Sequence, residues 1–511
     1  MIKNLLLTGC LLMFPLFTGC ALPDKPEPPS DYNVLMVVLD ACRADHLGCY
    51  GYKLPTSPNI DNFASKSVLF EQAYSQGIQT LPSFGSFLTG KYPITLNLYW
   101  TNPPHRILHP EELTLAEILR IHNYQTASFP TGPHLWPLFG LSQGFQIYTN
   151  NLYFDLMNKE GIDFMHQRKR IPKDAFANYE EKREVWSFQD TLPLTINYLK
   201  KSHGQPFFLM AHSNDTHPPY DNPIEFAHRF DPDYQGLFCP DPDKQSGEFR
   251  LSLSVLNNID GHKLSLKGLT NGWNYVRNQP YPAETELMLS DQDLNHIRAH
   301  YDGAIAYADD CVGRILKQLA DSGLDKNTIV ILIADHGETI GERGLFDRSF
   351  GHPLPLYNEV THVPMIIRYP GLKNSKRISQ PVQLVDLMPT ILDLIGIKAP
   401  DNIDGVSLKS IMTSDKSPDL KRPIITEALP NELAFRIGEW KLIYRLNDIS
   451  ELYNLNKDPG EKTNLITNPD TQSIYQELLD KVRRWQNEQL SKRGDWAREF
   501  NENLWDRLYK K

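Results

Sequence analysis

Val34-Leu-Met-Val-Val-Leu39 is a continuous apolar run of strand length, and it ends directly on Asp40. A run without polar alternation implies burial on both faces, as in a parallel sheet with helices on each side. Asp40 then lies at the carboxyl end of its strand, the edge where open α/β sheets bind ligands. Taken alone, an Asp at that place is most simply a helix cap. The arrangement recurs in Thr328-Ile-Val-Ile-Leu-Ile-Ala334, which runs into Asp335-His336-Gly337-Glu338. Two buried strands that deliver carboxylates to one edge, the second with an adjacent imidazole, can assemble a mixed oxygen and nitrogen site for one divalent cation. A third run, Pro206-Phe-Phe-Leu-Met-Ala211, leads to His212 and then to Asp215-Thr216-His217-Pro218. A fourth, Val363-Pro-Met-Ile-Ile-Arg-Tyr369, follows a loop with Gly351-His352-Pro353. An isolated His is usually structural, but His217 and His352 next to a metal constellation become candidates for catalysis.

A second decisive stretch is Gln79-Thr-Leu-Pro-Ser-Phe-Gly-Ser-Phe-Leu-Thr-Gly90. Pro82 suits a first helical position and Gly90 a helix stop, so the segment reads as a turn feeding a short helix. Thr80 is then expected just before the helix. There the free N–H groups and the positive dipole end favour an oxygen nucleophile or a bound phosphate or sulfate. A plain N-cap is the commoner role for such a Thr.

The chain has 511 residues, 41% hydrophobic and 22% charged, which is ample for a large core. Its formal net charge of −10 argues against nucleic acid as the main partner. Residues 1–19 carry Lys3, an apolar run from Leu5 to Phe17 too short to cross a bilayer comfortably, and a Thr18-Gly19-Cys20 box. That N-terminus resembles a bacterial lipoprotein signal, which implies cleavage before Cys20 and acylation of its thiol. Residues 21–30 are a Pro-rich tether. The expected location is the cell envelope, with the body lipid-anchored to a membrane and facing the periplasm or the exterior. Cys42, Cys49, Cys239 and Cys311 show no CxxC spacing and are expected as free thiols.

Several segments together carry a family resemblance. They are Asp40-Ala-Cys-Arg43-Ala-Asp45-His-Leu-Gly48-Cys-Tyr-Gly51, Thr80-Leu-Pro-Ser83 with Leu88-Thr-Gly90, His217-Pro-Pro-Tyr220, and Asp335-His-Gly-Glu338 followed by His352 and Leu356-Tyr-Asn-Glu359. They resemble the sulfatase family of the alkaline-phosphatase superfamily, and the likeness continues through Trp440-Lys-Leu-Ile443, Leu452-Tyr-Asn-Leu455 and Asp458-Pro-Gly-Glu461. The resemblance implies an α/β fold with a mainly parallel central sheet sandwiched by helices over residues 31–420. It also implies a small α+β subdomain with an antiparallel sheet over 421–511. Residues 221–290 are expected as an insertion that walls the pocket. By the same resemblance Asp40, Asp335 and His336 bind the metal, Thr80 is the nucleophile and touches that metal, and His217 and His352 contact the transferred group or protonate the leaving oxygen.

Three departures from the family pattern bear on the chemistry. Sulfatases carry at the nucleophile position a Cys or Ser that becomes formylglycine, a conversion closed to Thr80. Phe84 stands where the signature Cys-x-Pro-Ser-Arg has its Arg, and Asp40-Ala41 replaces an Asp-Asp pair. Asp335-His336 replaces Asp-Asn and shifts the metal preference from calcium toward manganese or zinc, with magnesium also open. The expected function is metal-dependent hydrolysis of sulfate or phosphate esters of a small molecule or glycan by a threonine nucleophile. Two alternatives are a phosphoryl-group transferase acting on an alcohol and an inactive, membrane-tethered binding protein. Secondary expectations are helices over 113–119 and 294–319, a strand-turn-strand over 435–444 and a closing helix over 474–490. A basic run at 167–170, Trp136, Trp186 and Trp273, and a charged tail from 491 complete the reading.

Overall fold

The computed structural model describes residues 31–99, 107–149, 187–201, 204–218, 220, 222–237, 259–265, 286–344, 355–414, 420–446 and 448–493. The signal and tether, the basic run, Trp186, Trp273, Cys239, His352, most of the insertion and the tail beyond 493 lie outside these residues.

The central sheet contains β1 (Asn33–Leu39), β2 (Val68–Phe70), β3 (Gln125–Phe129), β4 (Ile147–Tyr148), β5 (Phe207–Ser213), β6 (Thr328–Ala334), β7 (Met365–Arg368) and β8 (Lys376–Ile378), in the order β8-β2-β7-β6-β1-β5-β3-β4. β6, β1, β5, β3 and β4 run parallel, while β7 is antiparallel to both its neighbours. The sheet is therefore mainly parallel, as expected. β1, β5 and β6 are buried at every position, which is what their unbroken apolar sequences require. In register, Leu39 of β1 sits opposite Ala334 of β6 and Ser213 of β5, so three strand ends converge.

Helices α1 (Thr80–Thr89) and α2 (Leu115–Ile121) pack against one another, and α3 (Phe188–Lys200) packs against the long α4 (Asp291–Asp321). α4 begins three residues earlier than the apolar pattern shows, because Ser290 and Asp293 form a reciprocal capping box. α2 likewise starts after Leu113, where Thr114 and Glu117 cap each other. The strand expected over 363–369 is broken. His362–Val363 pairs with Ala73–Tyr74 in a separate sheet, and Met365 starts β7. Pro364, which lacks an N–H for the ladder, stands at the break. Of the insertion, the described parts are a helical turn at Ile224–Ala227 and three short antiparallel strands at Ile259–Asp260, Lys263–Ser265 and Glu286–Met288.

The C-terminal region is an antiparallel four-stranded meander, β9 (Ile424–Leu429), β10 (Glu432–Ile437), β11 (Trp440–Arg445) and β12 (Glu451–Asn454), covered by α5 (Gln472–Ser491). Leu433, Phe435 and Leu442 join Leu478, Val482 and Trp485 in one cluster that also takes in Tyr92, Ile94 and Tyr99. Trp136 packs against the main core, and Cys42, Cys49 and Cys311 are free thiols. No helix among the described residues is long and apolar enough to cross a membrane.

Glu427 lies buried in the seam between the meander and the main body, accepting from Tyr99 Oη (2.5 Å) and from the Ile94 N–H (3.2 Å). Burial pushes its carboxyl up to about 8. The folded chain thus holds one more proton than the unfolded chain between an ordinary 4.5 and that value, so stability falls as the pH rises through this window. Glu427→Gln is expected to flatten the decline: between about pH 5.5 and 8 the melting temperature of the wild type drops further than that of the variant. The difference corresponds to a few kcal/mol and is read by calorimetry.

Candidate active site

α1 begins at Thr80, with Gln79 as N-cap. Thr80 is therefore the first helical residue and not the one before the helix, and Pro82 is the third. A proline is tolerated there because the first four N–H groups of a helix have no intrahelical partner to lose. Gly90 closes the helix in the left-handed region (φ 70°), its N–H donating to the Ser86 carbonyl at 2.8 Å. Within the first turn, Ser83 Oγ donates to the Asp335 carbonyl at 2.6 Å, which fixes the start of α1, with Thr80 buried, to the end of β6.

Asp40, Asp335 and His336 each present one ligand atom, and these atoms lie within 4.8 Å of one another in a buried cluster. Their hydrogen bonds decide which atoms face inward. Asp335 Oδ1 accepts from the backbone N–H of Ala41 (3.2 Å) and of His336 (2.9 Å), leaving Oδ2 without a donor. His336 Nδ1 lies 2.8 Å from the Gly337 carbonyl, so Nδ1 carries the proton and Nε2 presents a lone pair. That lone pair faces Asp40 Oδ1 at 3.5 Å and Asp335 Oδ2 at 3.7 Å. Both oxygens of Asp40 are buried without a hydrogen-bond partner. Three acceptors aimed at one another fit a cation between them.

The charges respond to this crowding. Burial together with the facing Asp40 raises the Asp335 carboxyl above its ordinary range. Burial alone would raise Asp40 too, but His212 beside it, with His217 and His336, holds it well below that range. The loop after β1 is held from outside the cluster. Tyr301 Oη on α4 donates to the Ala41 carbonyl (2.8 Å) and accepts from the Arg43 N–H (2.9 Å). Ala41 sits at φ 56°, a conformation an L-residue adopts at a cost of roughly 1–2 kcal/mol. Arg43 grips Asp45 with two nitrogens and reaches Glu342 at 2.7 Å.

The loop after β6 is braced by the C-terminal meander. The N–H groups of Gly337 and Glu338 donate to the carbonyls of Val360 (2.7 Å) and Glu359 (3.1 Å). A side chain at Gly337 would meet the Glu359 carbonyl at 2.1 Å, so only glycine permits this approach. The helical turn Asn358–Thr361 that carries those carbonyls is capped from the loop after the meander: Glu461 Oε2 accepts from the Asn358 N–H at 2.7 Å. Glu461 is itself paired with the buried Lys441 at 2.6 Å, and Lys441 also donates to Asn358 Oδ1 at 3.1 Å.

Of the expected histidines, His217 lies at the same edge, close enough to Asp40 to affect its charge. Its Nδ1 lies 2.8 Å from the Pro218 carbonyl, so Nδ1 carries the proton and Nε2 is the basic nitrogen of the neutral ring. Two residues went unassigned. β5 continues through Ser213, so His212 lies inside the strand and not after it. His134 comes from the loop after β3, its ring 6.4 Å from that of His217, and no spacing in the sequence links the two. Phe84, in place of the signature Arg, is fully buried and packs edge-on against His212 at 5.4 Å.

Residues 32–397 match the family described as Sulfatase, and 341–488 match the module described as N-sulphoglucosamine sulphohydrolase, C-terminal. This chain belongs to the sulfatase family. Among its relatives is an N-acetylglucosamine-6-O-sulfatase of Bacteroides thetaiotaomicron, 26% identical over 92% of this chain and 89% of the relative. A human iduronate 2-sulfatase is 27% identical over 72% of this chain and 70% of its own length. Similar solved folds include a phosphonate monoester hydrolase from Silicibacter pomeroyi (TM-score 0.64, 21% identity, 93% of this chain and 96% of that one). A protein in complex with its substrate D-glucosamine-2-N,6-O-disulfate superposes with TM-score 0.64 at 21% identity, over 90% of this chain and 98% of that one. The enzyme class expected from the sequence, a sulfatase-like ester hydrolase, is the class of these sulfatase relatives.

Asp335→Asn separates metal binding from folding. An amide keeps the oxygen that accepts from Ala41 and His336 and turns an N–H toward Asp40. Chelator-treated variant is expected to gain about 1–2 kcal/mol over the chelated wild type, by removal of a buried like charge. Mn²⁺ is expected to raise the melting temperature of the wild type and not that of the variant. Thermal melts with and without Mn²⁺ check both.

Proposed function

We propose that this sulfatase-family chain is a metal-dependent hydrolase of phosphate esters with Thr80 as nucleophile, acting on an ester carried by a sugar or other small molecule. The observation that carries the reading is the trio of donor-free acceptors, Asp40 Oδ1, Asp335 Oδ2 and His336 Nε2, fixed to the first turn of α1 through Ser83. These residues would hold one divalent ion. When bound, the ion supplies positive charge against the oxygens of the transferred group and favours the ionised form of a nearby hydroxyl.

Thr80 has the hydroxyl, but its methyl-bearing β-carbon cannot become the aldehyde of formylglycine, which favours phosphorus over sulfur as the centre attacked. Its oxygen forms a bond to phosphorus while the bond to the leaving alcohol breaks, and the threonine proton ends on that alcohol. His217, at the same edge as Asp40, is the residue that passes the proton. Water then attacks phosphorus, releasing inorganic phosphate and restoring the Thr80 hydroxyl. His352 is the second candidate for proton delivery. An alcohol in place of that water would make the same residues a transferase. Sugar-borne esters are favoured because relatives include an N-acetylglucosamine-6-O-sulfatase. Placement at the cell envelope on a lipid-modified Cys20 belongs to the same proposal.

The test is turnover of paired aryl sulfate, aryl phosphate monoester and aryl phosphodiester substrates with Mn²⁺, for wild type and Thr80→Ala. Turnover of a phosphate ester is expected, and Thr80→Ala is expected to lower kcat by about a thousandfold or more with the fold intact. Sulfate turnover that survives Thr80→Ala would overturn the mechanism. No turnover together with no metal uptake would establish the binding-protein alternative.

A further inference from the structure

His212 and His336 flank the same carboxylate, and their other ring nitrogens meet opposite kinds of partner. His336 Nδ1 faces a carbonyl, whereas His212 Nδ1 faces the backbone N–H of Thr131 at 3.2 Å, with Thr131 Oγ1 3.0 Å away. An N–H can only donate, so His212 Nδ1 is the acceptor and its Nε2 carries the hydrogen. Nε2 is buried without a hydrogen-bond partner and points at Asp40 Oδ2, 3.6 Å away. His212 is fully buried, Phe84 covers its ring edge-on, and its backbone lies in the middle of the sheet between β1 and β3. Phe84 itself has no donor to offer.

We infer that His212 is a positioning residue: its Nε2–H orients Asp40 so that Oδ1 is turned toward Asp335 and His336, and it is excluded as a fourth ligand because its hydrogen occupies the nitrogen that faces the cluster. This rests on the metal reading of the site. The two imidazoles thereby divide the work by tautomer. His336 offers a lone pair to the cation, and His212 offers a donor to the carboxylate behind it. The Thr131 N–H sets that division, and Thr131 belongs to the loop after β3. The loop after a strand two places from β1 in the sheet therefore contributes to the geometry of the carboxylate that follows β1. Hydrogen-bonded partners of metal ligands typically change metal affinity by roughly 10–100-fold when removed.

The experiment is calorimetric titration of the chelator-treated full-length chain with Mn²⁺, comparing wild type, His212→Gln and His212→Asn. A glutamine side chain can place an N–H where Nε2 stands, while an asparagine amide reaches only the position of Nδ1. His212→Gln is expected to bind Mn²⁺ within about threefold of wild type and His212→Asn roughly 10–100-fold more weakly, both having melting temperatures close to each other. Equal affinities for the two variants would overturn the inference while leaving the metal site standing. Tighter binding by His212→Asn than by His212→Gln would also overturn it. A wild-type chain that takes up no Mn²⁺ would overturn the metal reading and this inference with it, so the two failures are told apart by the wild-type titration alone.

Discussion

Mutual repulsion among acceptors is the constraint on which this structure turns. Two carboxylates and an imidazole lone pair stand within 4.8 Å of one another, buried, with no donor among the described residues between them. Burying an ionised carboxylate costs several kcal/mol even after relaxation. The surrounding fold must supply that energy and hold the groups against separation. It does so by ending three fully buried strands at one level and by tying the loop after each strand to something outside the cluster. Tyr301 holds the loop after β1, Ser83 and the Glu359–Val360 carbonyls hold the loop after β6, and Thr131 holds His212 of β5. A bound cation converts the repulsion into attraction, so the cost is a property of the empty site.

The same logic accounts for local strain. Ala41 adopts a left-handed conformation that places its N–H on Asp335 and its carbonyl on Tyr301. Strain of this kind persists when its neighbours over-determine it and is concentrated at functional sites. Asp215 shows a related compromise. Burial raises its carboxyl to about 6, yet it stays in place because it accepts from Ser213 Oγ (2.5 Å) and from the Phe188 N–H at the start of α3 (2.9 Å).

The sheet and the clustering of Asp40 with Asp335 and His336 are legible because the relevant signals are local. An apolar run six residues long that stops on Asp announces both the strand and its ligand-binding edge, as at Val34–Asp40 and Ile329–Asp335. α1 starts two residues before Pro82, the position its sequence suggests, because Pro is compatible with several N-terminal positions. The reversed direction of β7 is not encoded in the composition of its run. His212 was set outside β5 because a polar residue after an apolar stretch looks like a strand end, whereas here it is paired to Val38 and enclosed by Phe84. The roles of His134 and Thr131 are not legible in sequence because their contacts depend on which strands are neighbours. Order in a sheet is a property of the whole chain.

Lys441 and Glu461 look, in sequence, like parts of an appended C-terminal module. In space they cap the helical turn that supports Gly337 and Glu338, one peptide beyond His336. The C-terminal region is thus a buttress for the loop after β6, a strand that ends more than a hundred residues before Lys441 in the chain. Any exchange of C-terminal modules between relatives would carry that buttress with it, so change in this part of the chain bears on the placing of His336 and the carboxylates beside it. Modularity in the sequence hides mechanical dependence in the molecule.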